Sequence, residues 1–571
     1  MCVTVALNAK RTQRAPLLVP TSASPDPASA ASIRSHVVKA AQSKLKLKKP
    51  TRFFVGGTGQ ELKTAQEWKD ELNNDAVVLV SAGEDYVGVR KESGRHEEAN
   101  SDCPVYVLAE NAPVDGLSVT QLTTTAHTLP GIVLGVGQPD LHPGTKFPIG
   151  AVFVSQQWVH PPLIGSDIGC GMAWYKTKLT RNQVDGDKGK RVAEKLRGLE
   201  GAWRTQAARE LWLQGHDGRD SSSCSAGPEW DVALGTIGAG NHFAEIQVVE
   251  KSENEDSSLH QDEVILLVHS GSRGYGGSIL KKHTSDSHTT SFREGTKEMQ
   301  DYMTDHDRAC RWAKANRDLI AVRFLACLEP GEEAWELGRN GDSDPIVDLA
   351  AAISCAKARV RERRVVDIWH NHVERVKWPP GPPPSSPSTA DQDVKEGCVS
   401  TSIDDIDDDD DDDGQANRYA YIHRKGAAPT HDPLSTTTTP HPLPLLPLPG
   451  SRGTPTLMLR PAFSAATGWG ARNALSLAHG AGRAMSRARA LASLGQKYKH
   501  REGQLLEPTA TGGERRGTWV VCEERDLVFE EAPEAYKDVF AVGEDLAREG
   551  VAEVVGACAA RVSYKVRKEA R

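Results

Sequence analysis

In the stretch Ile164–Met172, IGSDIGCGM, one cysteine stands between two glycines and three residues after an aspartate. Cys170 has no second cysteine at zinc-site spacing and no evident disulfide partner, so it reads either as a small buried hydrophobe or as a metal ligand. Four further clusters set polar, titratable residues among glycines: GTIGAGNHFAEIQ (235–247), VHSGSRGYG (268–276), WHNHVE (369–374) and LAHGAGRAMSRARA (477–490). PDLHPG (139–144) belongs with them in style. Taken singly, each fits a strand-end histidine or a helix-capping loop. Together, Asp167, Cys170, His242, His269 and His370 offer hard, borderline and soft donors, and a thiolate can bridge two ions. Carboxylate and imidazole suit Mn²⁺ or another divalent first-row ion better than a closed structural zinc. The last cluster points to phosphorus. His479 lies on a Gly-rich turn expected to lead into a helix, whose free N–H groups favour phosphate, and Arg483 can hold one in its fork. A histidine so placed is a candidate nucleophile.

The elements that must position these residues are legible in outline. The 571-residue chain is long enough for several domains, and its formal charge of −8 sums uneven parts. Residues 1–52 hold ten Lys/Arg against Asp26 alone, whereas Asp407–Asp413 is an unbroken acidic run, so no overall basic character announces nucleic acid. Ten scattered cysteines without a C-x-x-C pair read as reduced thiols of an intracellular protein. No apolar run reaches the ~20 residues a membrane helix needs. Residues 1–34, rich in Ser, Ala, Pro and Arg, read as a disordered tail or an organellar transit peptide, with cytoplasm or nucleus the default location.

Residues 35–92 read as a small α/β domain: a helix at SHVVKAAQSKLKL, a strand at TRFFVGG, a Gly turn, a helix at TAQEWKDEL and a strand at AVVLVSAGEDYVG. That order resembles β-grasp adaptors of the doublecortin type; the other reading is an extension that packs on the core. Residues 93–571 read as a single large α+β domain of mixed sheets with flanking helices. A Pro- and Asp-rich insert at 379–417 lacks the apolar residues to fold. Helices are expected at KEMQDYMTDHDRACRWAKANRDLIAVRFLACL and DLAAAISCAKARVRERRVV, and strands at GIVLGVG, AVFVSQQW, EVILLVHSG and GTWVVCEE.

SDIGCGM, GNHFAEIQ, HSGSRG, HN, RKGA, PGSRGT, HGAGRAMSR and AYKD follow one another as in the RtcB family of GTP- and Mn²⁺-dependent RNA ligases, which the chain resembles from about Leu117 onward. It is most similar to the branch coupled to release-factor-H-type proteins. The resemblance implies that Asp167, Cys170 and His242 hold one Mn²⁺ and that Cys170, His269 and His370 hold a second. It makes His479 the residue that becomes guanylylated. Asn241, Glu245, Thr456, Ala481, Gly482, Tyr536 and Lys565 would surround the nucleotide, and Arg273 and Arg483 would grip the RNA phosphate. Two departures stand out: Arg452 occupies a position where Met is common, and residues follow Lys565 where the family ordinarily ends.

The resemblance implies that GTP guanylylates His479 and that the guanylate then passes to an RNA 3′-phosphate. A 5′-hydroxyl would close the joint, after opening of any 2′,3′-cyclic phosphate. RNA with such ends is the expected partner, a protein activator is compatible with the sequence, and no membrane is expected. Two other readings stay open: an Mn²⁺-dependent end-processing phosphodiesterase, and a non-catalytic RNA-end-binding scaffold.

Overall fold

The computed structural model describes residues 2–8, 13–18, 27–56, 59–70, 76–84, 86, 102–216, 222–253, 258–284, 291–339, 348–382, 419–432, 442–511 and 514–565. Most of the Pro/Asp-rich insert, including the acidic run, lies outside them. The chain divides into two units, Met1–Glu97 and Glu98–Arg571.

Residues 2–8, 13–18 and 27–34 belong to a folded unit rather than to the disordered tail expected of residues 1–34. They supply strands β1 (Cys2–Leu7) and β2 (Arg14–Leu18) and the start of helix α1 (Pro27–Ser43). With β3 (Arg52–Val55) and β4 (Val77–Ser81) they form one sheet in the order β2-β1-β4-β3. The outer strands run antiparallel to their neighbours, while β1 and β4 pair in parallel. The element order is two strands, α1, a third strand, a short helix Ala65–Asp70 and the fourth strand. Val3, Val5, Val78 and Val80 alternate onto one face, where Ile33, Val37, Ala40 and Ala41 of α1 meet them at helical spacing. The CVTVAL strand was not evident because its parallel partner lies about seventy residues further on and nothing local announces it.

In the large unit, two sheets organise the site. The larger runs in the order Arg364–Trp369, Gly171–Thr180, Glu263–Ser270, Phe243–Ser252, Ala552–Tyr564, Thr456–Pro461, Leu446–Pro449, each antiparallel to the next. Trp519–Val521 joins in parallel beside Ala552–Tyr564. The smaller sheet runs Asn371–Lys377, Tyr419–Lys425, Ile149–Ser155, Ile132–His142, Val105–Val107. Both faces of the larger sheet are covered. Ala173 and Tyr175 belong to one core, Met172 and Trp174 to the other, so this strand reads as a continuous apolar run.

The 32-residue helix Lys297–Leu328 packs on the first of these faces, its start capped by the Thr296 side chain. Its middle carries a buried polar set. Arg317 donates to the carbonyls of Gly169 and Ser270 at 3.0 Å and pairs with Asp367 at 2.7 Å. Asn316 reaches the Ser270 hydroxyl at 3.1 Å. The helix thereby holds the two turns that carry Cys170 and His269. Among the described residues no helix is long and apolar enough to cross a membrane.

Candidate metal centre

Cys170 immediately precedes the strand Gly171–Thr180, and His242 precedes Phe243–Ser252. His269 stands at the end of Glu263–Ser270, and His370 follows Arg364–Trp369. These four strands are neighbours and alternate in direction, so all four residues fall at one edge of the sheet. Gly171 faces both Ser270 and Trp369, and Phe243 faces His269. The glycines of the motifs permit the approach. A Cβ on Gly271 would stand 2.4 Å from Asp167 Oδ1.

The side chains converge on one sulfur. Cys170 Sγ lies 3.2 Å from His242 Nε2, 3.3 Å from His269 Nε2 and 3.2 Å from His370 Nε2. Asp167 Oδ2 is 3.0 Å from His242 Nε2. Two overlapping triads result, Asp167/Cys170/His242 and Cys170/His269/His370, sharing the thiol.

The donor set suits a pair of divalent ions. Burial, reinforced by neighbouring cationic groups, holds His269 and His370 well below the usual histidine range, so both rings are neutral and have a lone pair to offer a metal ion. His242 places Nδ1 3.2 Å from the Ile237 carbonyl, which keeps its proton there and frees Nε2. Burial and the Asp167 charge push the Cys170 thiol well above its ordinary value, so deprotonation calls for a cation beside it. For Asp167 burial acts upward, but His242, Cys170 and Arg273 outweigh it and hold the carboxylate low.

His479 stands beside this cluster, its ring centroid 4.7 Å from that of His370. Its Nδ1 is 2.7 Å from Oδ2 of the fully buried Asp140, which fixes the proton on Nδ1 and leaves Nε2 as the lone-pair nitrogen. Gly426, at φ +67°, backs the ring; a Cβ there would stand 2.9 Å from His479 Cε1. The following helix begins only at Arg487, capped by Ser486, so the expected helix start directly after the glycine turn is displaced by a loop.

A cavity of about 1240 Å³ opens on Cys170, His269, His370 and His479. Asn241, Glu245, Thr456, Ala481, Gly482, Tyr536 and Lys565 line it, as does Arg483. Gln247 ties two of these together, donating to Glu245 at 2.9 Å and Thr456 at 2.8 Å. Glu531 is a hub that accepts from Arg483 at 3.0 Å, Lys565 at 3.3 Å and the Tyr536 hydroxyl.

The two arginines expected to grip phosphate are placed otherwise. Arg273 is not part of the cavity lining; it is buried, donates to Thr236 Oγ1 at 3.2 Å and adds positive charge near Asp167. Arg483 spends its guanidinium on Glu531, the Glu530 carbonyl and the Met485 carbonyl. Arg487 and Arg489, which also border the cavity, are more exposed cations. Sequence reasoning missed Asp140, Gln247, Glu531 and Lys425. Burial lowers the Lys425 ammonium to about 8 at the cavity wall. Asp140 lay in PDLHPG, Gln247 in GNHFAEIQ and Lys425 in RKGA, whereas Glu531 belonged to no motif.

Fold and site together define an α+β protein whose large unit is organised by two sheets, with a candidate binuclear centre beside an acid-paired histidine. The model of the family described as tRNA-splicing ligase RtcB matches residues 121–203, 204–339 and 406–566. The chain is 30% identical over 464 residues to the RNA-splicing ligase RtcB2 of Escherichia coli, covering 80% of this chain and 94% of that protein. It is 28% identical over 485 residues to the RNA-splicing ligase RtcB of Mycobacterium tuberculosis, covering 75% and 96% of the two chains. With the tRNA-splicing ligase RtcB of Methanococcus maripaludis it shares 25% identity over 488 residues, covering 76% and 88%. The chain belongs to the RtcB family.

Proposed function

We propose that this chain is an RNA ligase that uses GTP and two Mn²⁺ ions to join a 3′-phosphate or 2′,3′-cyclic phosphate end to a 5′-hydroxyl. The observation that carries the reading is the Asp140–His479 pair set against the Cys170-centred triads. His479 and members of both triads border one cavity, with Asp140 buried behind the His479 ring.

In this reading His479 Nε2 attacks the α-phosphorus of GTP, forming a P–N bond as pyrophosphate leaves. The imidazolium that develops is stabilised by Asp140 at Nδ1. An RNA 3′-phosphate oxygen then attacks the same phosphorus, the P–N bond breaks, and the end becomes a guanylylated diphosphate. The 5′-hydroxyl attacks the RNA phosphorus, loses its proton and expels GMP. A cyclic phosphate first takes up water to yield the 3′-phosphate. Bound at the two triads, Mn²⁺ would supply charge neutralisation for phosphate oxygens. Glu245, held by Gln247, and Thr456 are placed to bind the nucleotide.

Incubation with α-labelled GTP and Mn²⁺ tests the reading. The parent should acquire an acid-labile, alkali-stable label, and His479→Ala should acquire none while retaining its metals. That variant should still join an RNA guanylylated in advance. Acid-labile guanylate on the Ala variant would assign the nucleophile elsewhere. Cleavage of RNA ends by the parent without label would favour a phosphodiesterase.

A further inference from the structure

Arg452 is 4% exposed, yet it lines the cavity. Its Nη2 donates to the Val528 carbonyl, while Nε and Nη1 have no acceptor among the described residues. Nearby Glu531 spends its carboxylate on Arg483, Tyr536 and Lys565. A guanidinium is a donor only, and a buried one without acceptors is costly unless something else supplies them.

Position says what that acceptor is. From the metal ligand His269 a chain of contacts leads away: the Phe243 ring at 5.3 Å, Lys565 over that ring at 5.4 Å, then Glu531 at 3.3 Å from Lys565. Arg452 lies toward the Glu531 end: it donates to the Val528 carbonyl and feels the Glu531 charge. A nucleotide whose α-phosphorus meets His479 carries its phosphates at the metal end and its base toward the other. Guanine offers two adjacent acceptors, O6 and N7, matching an arginine fork; adenine sets an amino donor beside N7.

We infer that Arg452 reads the base of the bound nucleotide, donating to the O6/N7 edge of a 6-oxopurine and setting the preference for guanine over adenine. The inference rests on the nucleotidyl-transfer reading and adds a specificity determinant to it.

The full-length protein with Mn²⁺ is labelled with GTP, ATP and 7-deaza-GTP, which lacks the N7 acceptor. The parent should need about tenfold more 7-deaza-GTP than GTP for half-maximal labelling, the factor one lost hydrogen bond of ~1.4 kcal/mol produces. Arg452→Met should raise KM for GTP by about tenfold or more, with the loss on KM rather than kcat, and should treat GTP and 7-deaza-GTP alike. Its discrimination against ATP should shrink as well. A merely structural Arg452 would leave the parent's ratio of GTP to 7-deaza-GTP unchanged in the variant, which overturns the inference. If the variant does not fold, equal use of GTP and 7-deaza-GTP by the parent overturns it independently. Absence of any label on the parent defeats the nucleotidyl-transfer reading instead. Calorimetric binding of GTP and 7-deaza-GTP to parent and Arg452→Met then decides the role of Arg452 alone.

Discussion

At the scale of single residues, the site turns on which atoms share a proton and which crowd around one thiol. Cys170 lies within 3.3 Å of three imidazole nitrogens, and both triads include it. Cys170→Ser keeps the size of the side chain but removes the soft thiolate, so both ions should weaken together. Metal counting on the purified variant checks this, and full occupancy would remove Cys170 from the centre. Asp140 acts through His479. Asp140→Asn preserves shape but can donate an amide hydrogen bond to Nδ1, which favours the tautomer with the hydrogen on Nε2. Label transfer should fall by roughly 10²-fold or more, in line with the loss when an orienting aspartate is neutralised, with metal content unchanged. Retained labelling would show that the ring is oriented by other means.

At the scale of elements, the ligands were recognisable as motifs, but their meeting depends on strand direction. Cys170 and His370 are two hundred residues apart in sequence, and only antiparallel pairing brings both to one edge. Asn316 and Arg317, two polar residues among many in the helix Lys297–Leu328, gave no sign in sequence of gripping the segments that carry Cys170 and His269. In the N-terminal unit, Arg52 meets Glu61 through two contacts, at 2.8 and 3.0 Å, and its guanidinium also lies over Phe54. The Arg52 hydrogen bond holds the Glu61 carboxyl down at about 2, against an ordinary 4.5. A depressed carboxyl stabilises the fold fully above about 4.5, and that contribution disappears as pH falls through about 2. Glu61→Gln should therefore cost about 1 kcal/mol near neutrality and nothing near pH 2. Melts of parent and variant across that window check it; a difference independent of pH would place the effect in packing.

At the scale of the whole molecule, the insert between the two halves of the site leaves the sheet intact. Lys377 and Tyr419, which flank it, are register partners in adjacent antiparallel strands, so its ends already meet. Closing a long loop costs little more than closing a short one. Replacing residues 379–416 with a short Gly/Ser linker should leave ligation within a few-fold of the parent. Lost activity with metal affinity intact would assign the insert a part in binding RNA or nucleotide.

The sequence by itself determined the α+β class, the long helix at 297–328 and the donors of the candidate centre. Each of these is written in local periodicity or in residues whose chemistry has few other uses. The tertiary structure alone decided three matters. It paired CVTVAL with a strand about seventy residues away, turning an expected tail into part of a folded unit. It paired Arg483 with Glu531 and buried Arg273 beside Thr236. It left Arg452 buried, with two nitrogens unpaired among the described residues, near an acid already shared by three donors. The physical reason is common to all three: a residue's type states what it can donate or accept, whereas its partner is chosen by pairings between segments distant in the chain.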